Sequence, residues 1–146
     1  KIIDTSKLEA LLNMRVNDSF DLLKDQALIG NKIKTNKLIS DTILESGKSI
    51  FYLNIINQRL MKLLEVCEIA KDDNIDNAIS KIKPPIFWKD KANFSLQAKK
   101  WNKRKLKKML DQTYKVELMV KSNSQIEQSL LIKKLLVDMC YLANAS

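Results

Sequence analysis

The chain has 146 residues, 45% of them hydrophobic, enough for one ordinary domain with a real core, and it contains only two glycines, two prolines and no histidine. So little glycine and proline favours long uninterrupted helices and leaves no glycine-rich phosphate loop, while the missing histidine removes the commonest general base and metal ligand. The formal net charge of +9 is a local patch: residues 1–80 carry 11 basic and 12 acidic side chains, residues 81–108 carry 11 and 1, and residues 109–146 carry 4 and 4.

The expected fold is therefore all-α, a helical bundle of about seven to eight helices. Cys67 and Cys140 lie in separate apolar runs with no CxxC pair, which reads as buried reduced thiols of a cytosolic protein rather than a disulfide framework or a thiolate metal site. No apolar run approaches the roughly 20 residues of a membrane span, and no signal-peptide pattern opens the chain. Lys1 stands in what reads as mid-element sequence without a methionine, so the chain is expected to be a fragment of something longer.

In chain order, Ser6-Lys7-Leu8-Glu9 is a capping box that predicts a short helix to about Val16. Asp18 or Ser19 can cap a second helix with Phe20, Leu23, Ala27 and Leu28 on one face and Gly30 at its C-terminus. A third helix, roughly 32–46, is expected to bury Ile39 and Ile43 and to stop at Gly47. The strongest periodic signal follows over about 49–70, where Leu53, Ile56, Leu60, Leu64 and Cys67 recur at steps of three and four. The acidic pair Asp72-Asp73 reads as a solvated turn. A brief helix with Ile75, Ala78, Ile79 and Ile82 then leads to Pro84-Pro85, where proline geometry predicts a corner.

Phe94, Ala98 and Trp101 form an aromatic stripe on a helix over 91–100, which places Trp101 on the buried side. Asn102 can cap the next helix, whose Leu106, Met109, Leu110, Thr113 and Val120 cluster on one side with Glu117 in the middle of that sector. Glu117 and Lys121 are spaced as an i, i+4 pair, either closing one end of the bundle or latching to a neighbouring subunit. A second capping box, Ser124-Gln125-Ile126-Glu127, starts a terminal helix to about Leu142. Its Leu131, Leu135, Leu136, Val137, Met139, Cys140 and Leu142 cover most of the circumference, as on a helix buried on two sides. Residues 99–108 hold seven cations in ten positions. That field would attract phosphates, with Lys100, Arg104, Lys107 and Lys108 as the DNA-facing candidates, although a solvated lysine face has the same composition.

From Ile75 to Leu142 the order of features resembles the C-terminal collar of the delta subunit family of the bacterial DNA polymerase III clamp loader. The matching residues are Ile82-Lys83-Pro84-Pro85-Ile86-Phe87-Trp88-Lys89, Phe94 with Gln97, Trp101, the Leu106/Leu110 spacing, Glu117-Leu118 with Lys121, and the closing leucine-rich helix. Upstream, Gly30 and Gly47 with the helix between them, then the helix holding Leu53 to Leu64, resemble the passage from that family's helical lid into its collar. Trp88 departs from the phenylalanine usual there.

The resemblance implies an AAA+-type lid over 1–47 and a collar, or oligomerisation, domain over 48–146. It implies a non-catalytic part of a DNA polymerase III holoenzyme, a nucleotidyltransferase complex of the bacterial cytoplasm, with no catalytic, cofactor-binding or metal residues on this stretch. Its partners would be the other loader subunits, gamma/tau and delta-prime. The sliding clamp would be held through an N-terminal domain to which nothing here corresponds, DNA contact is possible, and no membrane is involved. The implied subunit interface is Leu131, Leu135, Met139, Leu142, Glu117 and Lys121, with Pro84, Pro85, Phe94 and Trp101 structural. An independent basic helical module that binds nucleic acid non-specifically is the competing reading.

Overall fold

The structure, a computed structural model, describes residues 19–70, 74–83, 85–122 and 126–145. Among them the chain forms seven helices and no strand: α1 over 19–29, α2 Lys32–Asp41, α3 Ser49–Ile69, α4 Ile75–Ser80, α5 Lys91–Lys100, α6 Lys103–Lys121 and α7 Gln128–Asn144. The all-α bundle that the composition predicts is thus observed. The capping box at Ser6 with its helix, the Asp72-Asp73 turn, Pro84, and Ser124 with Gln125 fall outside the described residues.

α1 buries Phe20, Leu23, Ala27 and Leu28 completely. Gly30 ends it at φ 85°, its N–H donating to the carbonyls of Gln26 and Ala27. A β-carbon at Gly30 would lie 2.8 Å from the Asn144 side chain, which itself donates from Nδ2 to the Gly30 carbonyl at 2.7 Å. The close approach of α7 and the left-handed backbone both require glycine here.

Asn31 caps α2 by accepting from the Lys34 N–H at 3.1 Å. The helix ends at Asp41, five residues short of the expected Ser46, because Thr42 adopts an extended conformation. Consecutive β-branched residues Thr42 and Ile43 favour that geometry. Ile43 consequently points to solvent, 82% exposed, and is not the core residue the spacing predicts, whereas Ile39 is half-buried and packs against the core. The loop is drawn back where the Glu45 N–H donates to the Tyr52 hydroxyl at 2.9 Å.

α3 is the axis of the bundle: α4, α5, α6 and α7 all pack on it. Tyr52, Leu53, Ile56, Leu60, Leu63 and Val66 are buried along it at steps of three and four, while Leu64 and Cys67 lie at the edge of the stripe. Each fully buried leucine contributes about 1.5–3 kcal/mol. Asn74 caps α4 through the Asn77 N–H at 2.7 Å, and Ile79 and Ile82 close that end of the core. The chain then turns its corner through Pro85, with residues 85–87 outside any helix.

Trp101, extended after α5, donates from Nε1 to the Leu28 carbonyl at 2.8 Å, satisfying one of the four carbonyls left over at the end of α1. Asn102 caps α6 as expected, accepting from the Lys105 N–H at 2.8 Å. α7 opens at Gln128 behind Glu127, with no side-chain cap bond, three residues later than the capping-box spacing predicts. One core serves the whole: Phe20 packs on Tyr52 at 4.6 Å between ring centroids, so residues before and after position 47 share a single hydrophobic cluster.

Candidate assembly surface

α7 carries two apolar faces, and the bundle uses one. Leu131, Ile132, Leu135, Leu136, Met139 and Ala143 face the core, the first and third at 6% and 2% exposure. Of the expected interface residues, Leu131, Leu135 and Met139 are therefore buried by the chain's own helices, and Leu142 is half-buried. The apolar side chains left outside are Leu130 and Tyr141, at 57% and 63% exposure, with half-buried Val137 between them. On α6, Tyr114, Leu118 and Met119 are also exposed. Glu117 and Lys121 do pair at 3.1 Å, but Lys121 stands in solvent and only the carboxylate is half-buried. Such a pair contributes at most about 0.5 kcal/mol within the chain.

Between α6 and α7 runs an open groove of about 330 Å³. Leu131 and Leu135 lie at its lining together with Val116 and Met119, and Lys115, Lys134 and Asp138 stand along it. Gln112 lines it too, and its Oε1 is buried with no hydrogen-bond donor among the described residues. A buried carbonyl without a donor costs about 1–3 kcal/mol.

The basic run divides. Lys100, Arg104, Lys107 and Lys108 are exposed, whereas Lys105 is 7% exposed and reaches the Lys100 carbonyl at 3.2 Å and the Ala143 carbonyl at 3.4 Å. Its ammonium thus sits against the C-terminal carbonyls of both α5 and α7, where a cation offsets two negative helix ends. The i, i+4 step from Lys105 to Met109 puts it on the apolar face, a signal available in the sequence. Upstream of this helix, Phe87 and Trp88 are exposed beside Lys83, Lys89 and Lys91, with the Lys89 ammonium 5.4 Å from the Trp88 ring centroid. Phe94 and Trp101 are core residues as expected, and Pro85 is exposed.

A second polar seam, which sequence spacing does not reveal, joins α1, α3 and α5. Gln97, fully buried, donates from Nε2 to Asp25 Oδ1 at 3.0 Å and accepts from Arg59 Nη1 at 3.2 Å. Arg59 lies over the Phe94 ring and 3.9 Å from both Asp25 and Asp90. Every member has a partner, as a buried polar network requires. Burial pushes the Cys67 thiol up, and neighbouring Glu68 adds to the shift, so it stays protonated and poorly nucleophilic. No group of three histidine, cysteine, aspartate or glutamate side chains that could hold a metal occurs among the described residues, and none of their helices is long and apolar enough to cross a membrane.

No family model matches the chain, and neither a curated protein nor a solved structure matches it.

Proposed function

We propose that this chain is the lid and collar part of a delta-type subunit of a bacterial DNA polymerase III clamp loader, a non-catalytic module that works by packing against neighbouring loader subunits in the bacterial cytoplasm. The observation that carries the reading is the apolar surface of α6 and α7 left over after the chain has filled its own core, namely Leu118, Met119, Leu130 and Tyr141. A helix that serves a core on one side and offers apolar side chains on the other is what an assembly interface needs. The feature order from Ile82 to Leu142 supplies the partner class. Mixed with purified gamma/tau and delta-prime subunits, the chain is expected to sediment with them as one complex. Separate sedimentation at all concentrations would overturn the reading.

Nucleic-acid binding is the second reading, favoured by exposed Lys100, Arg104, Lys107 and Lys108 and by exposed Phe87 and Trp88. It predicts binding of duplex or primed DNA that falls steeply with salt. Neutralising Arg104, Lys107 and Lys108 should weaken it; an unchanged isotherm would remove this reading.

A further inference from the structure

We infer that the pocket between α1, α3 and the Pro85 corner takes one base of a single-stranded nucleic acid. The inference rests on the nucleic-acid reading, names the kind of strand, and leaves the exposed apolar face of α6 and α7 to the assembly reading. The pocket has a volume of about 350 Å³, within the roughly 300–1,000 Å³ of small-molecule sites. Phe51 lines it from α3 and Phe87 from the corner, at 43% and 59% exposure, so aromatic rings border it from two elements. Such rings accept a flat group by stacking.

The charges of the pocket select a neutral occupant. Lys24, Arg59 and Lys62 line it together with Asp21 and Asp90. Lys24 stands 3.3 Å from Asp21 and 3.9 Å from Asp25, while Arg59 stands 3.9 Å from both Asp25 and Asp90. Three cations thus meet three carboxylates, and neither an anion nor a cation gains by entering. Gln58 lines the same wall, is exposed and bonds to no described residue, which leaves an amide donor and acceptor for a polar edge.

Outside the pocket that balance is lost. Residues 81–91 hold four lysines against Asp90 alone, and Asp90 is already approached by Arg59. Exposed Lys83 and Lys89 flank the 85–87 stretch, and the field continues through exposed Lys100, Arg104, Lys107 and Lys108. Trp88, 69% exposed, has its ring 5.9 Å from that of Phe87 and the Lys89 ammonium 5.4 Å from its centroid. A second stacking surface and a cation therefore stand beside the pocket. A flat neutral ring with a polar edge, carried on a chain of negative charge, is a nucleotide of a polymer. Duplex bases are stacked and paired inside, so the strand that can offer one is single. An apolar protein segment would fill the pocket but leave the lysines around it unmatched.

The test compares labelled oligothymidylate with an abasic strand of the same length by fluorescence anisotropy on the 146-residue chain. The two strands carry the same phosphates and differ in their bases alone. The chain is expected to bind the base-bearing strand about tenfold tighter at equal salt. Phe87→Ala should erase most of that preference and Gln58→Ala should reduce it about threefold, with abasic binding and the circular-dichroism melt unchanged. Gln58→Ala reads the pocket from α3, independently of how the corner folds. Neutralising Arg104, Lys107 and Lys108 should weaken both strands alike and keep their ratio. Oligouridylate in place of oligothymidylate distinguishes RNA from DNA, and a base-dependent gain with either supports the pocket. Equal binding of base-bearing and abasic strands, or a preference that survives in Phe87→Ala, overturns the pocket and leaves the nucleic-acid reading standing. A chain that binds no strand and no duplex even at low salt removes both. Weaker association of Phe87→Ala with gamma/tau or delta-prime, at unchanged oligothymidylate binding, assigns the pocket to a protein and overturns the proposal.

Discussion

Gln97 and Gln112 both lie between helices, yet their amides are treated differently. In the seam of α1, α3 and α5, Gln97 gives and receives hydrogen bonds with Asp25 and Arg59, and the guanidinium is stacked on Phe94. In the seam of α6 and α7, the Gln112 carbonyl is buried without a donor among the described residues, beside an open channel lined by leucines. The first seam is completed by the chain itself. The second keeps an apolar floor, with Leu131 and Leu135 buried, but leaves that carbonyl unmatched among the described residues beside open space.

Three substitutions sharpen that contrast. Gln97→Leu should have the largest effect, a loss of about 2–3 kcal/mol, because it strips hydrogen bonds from the buried Asp25 carboxylate and the half-buried Arg59 guanidinium. The shift in urea midpoint at unchanged slope measures it; an effect below that of Gln112→Leu would erase the distinction between the seams. Next comes Lys105→Met, which keeps the apolar stem but removes the cation from the ends of α5 and α7. A loss of about 1–2 kcal/mol is expected, against almost none for exposed Lys107→Met. The smallest effect belongs to Lys121→Ala, at most about 0.5 kcal/mol in the free chain, since its pair with Glu117 is largely in solvent. A larger loss for Lys121 in the free chain would mean that the pair already closes the bundle and is not held for a partner.

Much of the scaffold is legible in the sequence. The three-and-four spacing from Leu53 to Leu60 marks the axis of the bundle, Phe94 and Trp101 mark a buried stripe, and Asn102 marks a cap that exists at 2.8 Å. Thr42 and Ile43 escape because an apolar residue at helical spacing looks the same whether the helix continues or the backbone extends. The orientation of α7 escapes for a related reason. With apolar residues almost all round, periodicity cannot say which face meets the core, so nothing in it corrects the resemblance, which implies Leu131 and Leu135 as partner contacts when Leu130 and Tyr141 are the exposed pair. Gln97, Arg59 and Asp25 come together from three helices, at sequence separations of 38 and 72, and no local pattern announces them. Gln112 carries no signal at all until its surroundings are seen, because an orphan acceptor is a property of what is missing around it.

Hydrogen exchange of the chain, alone and with purified gamma/tau and delta-prime subunits, tests the central claim most directly. Strong new protection confined to the stretches of α6 and α7 that carry the exposed apolar side chains, around 114–119 and 130–141, with the α1, α3 and α5 seam unchanged, is the predicted result. Unaltered exchange across α6 and α7 in the presence of those subunits, or protection only at the 85–91 corner, would contradict it.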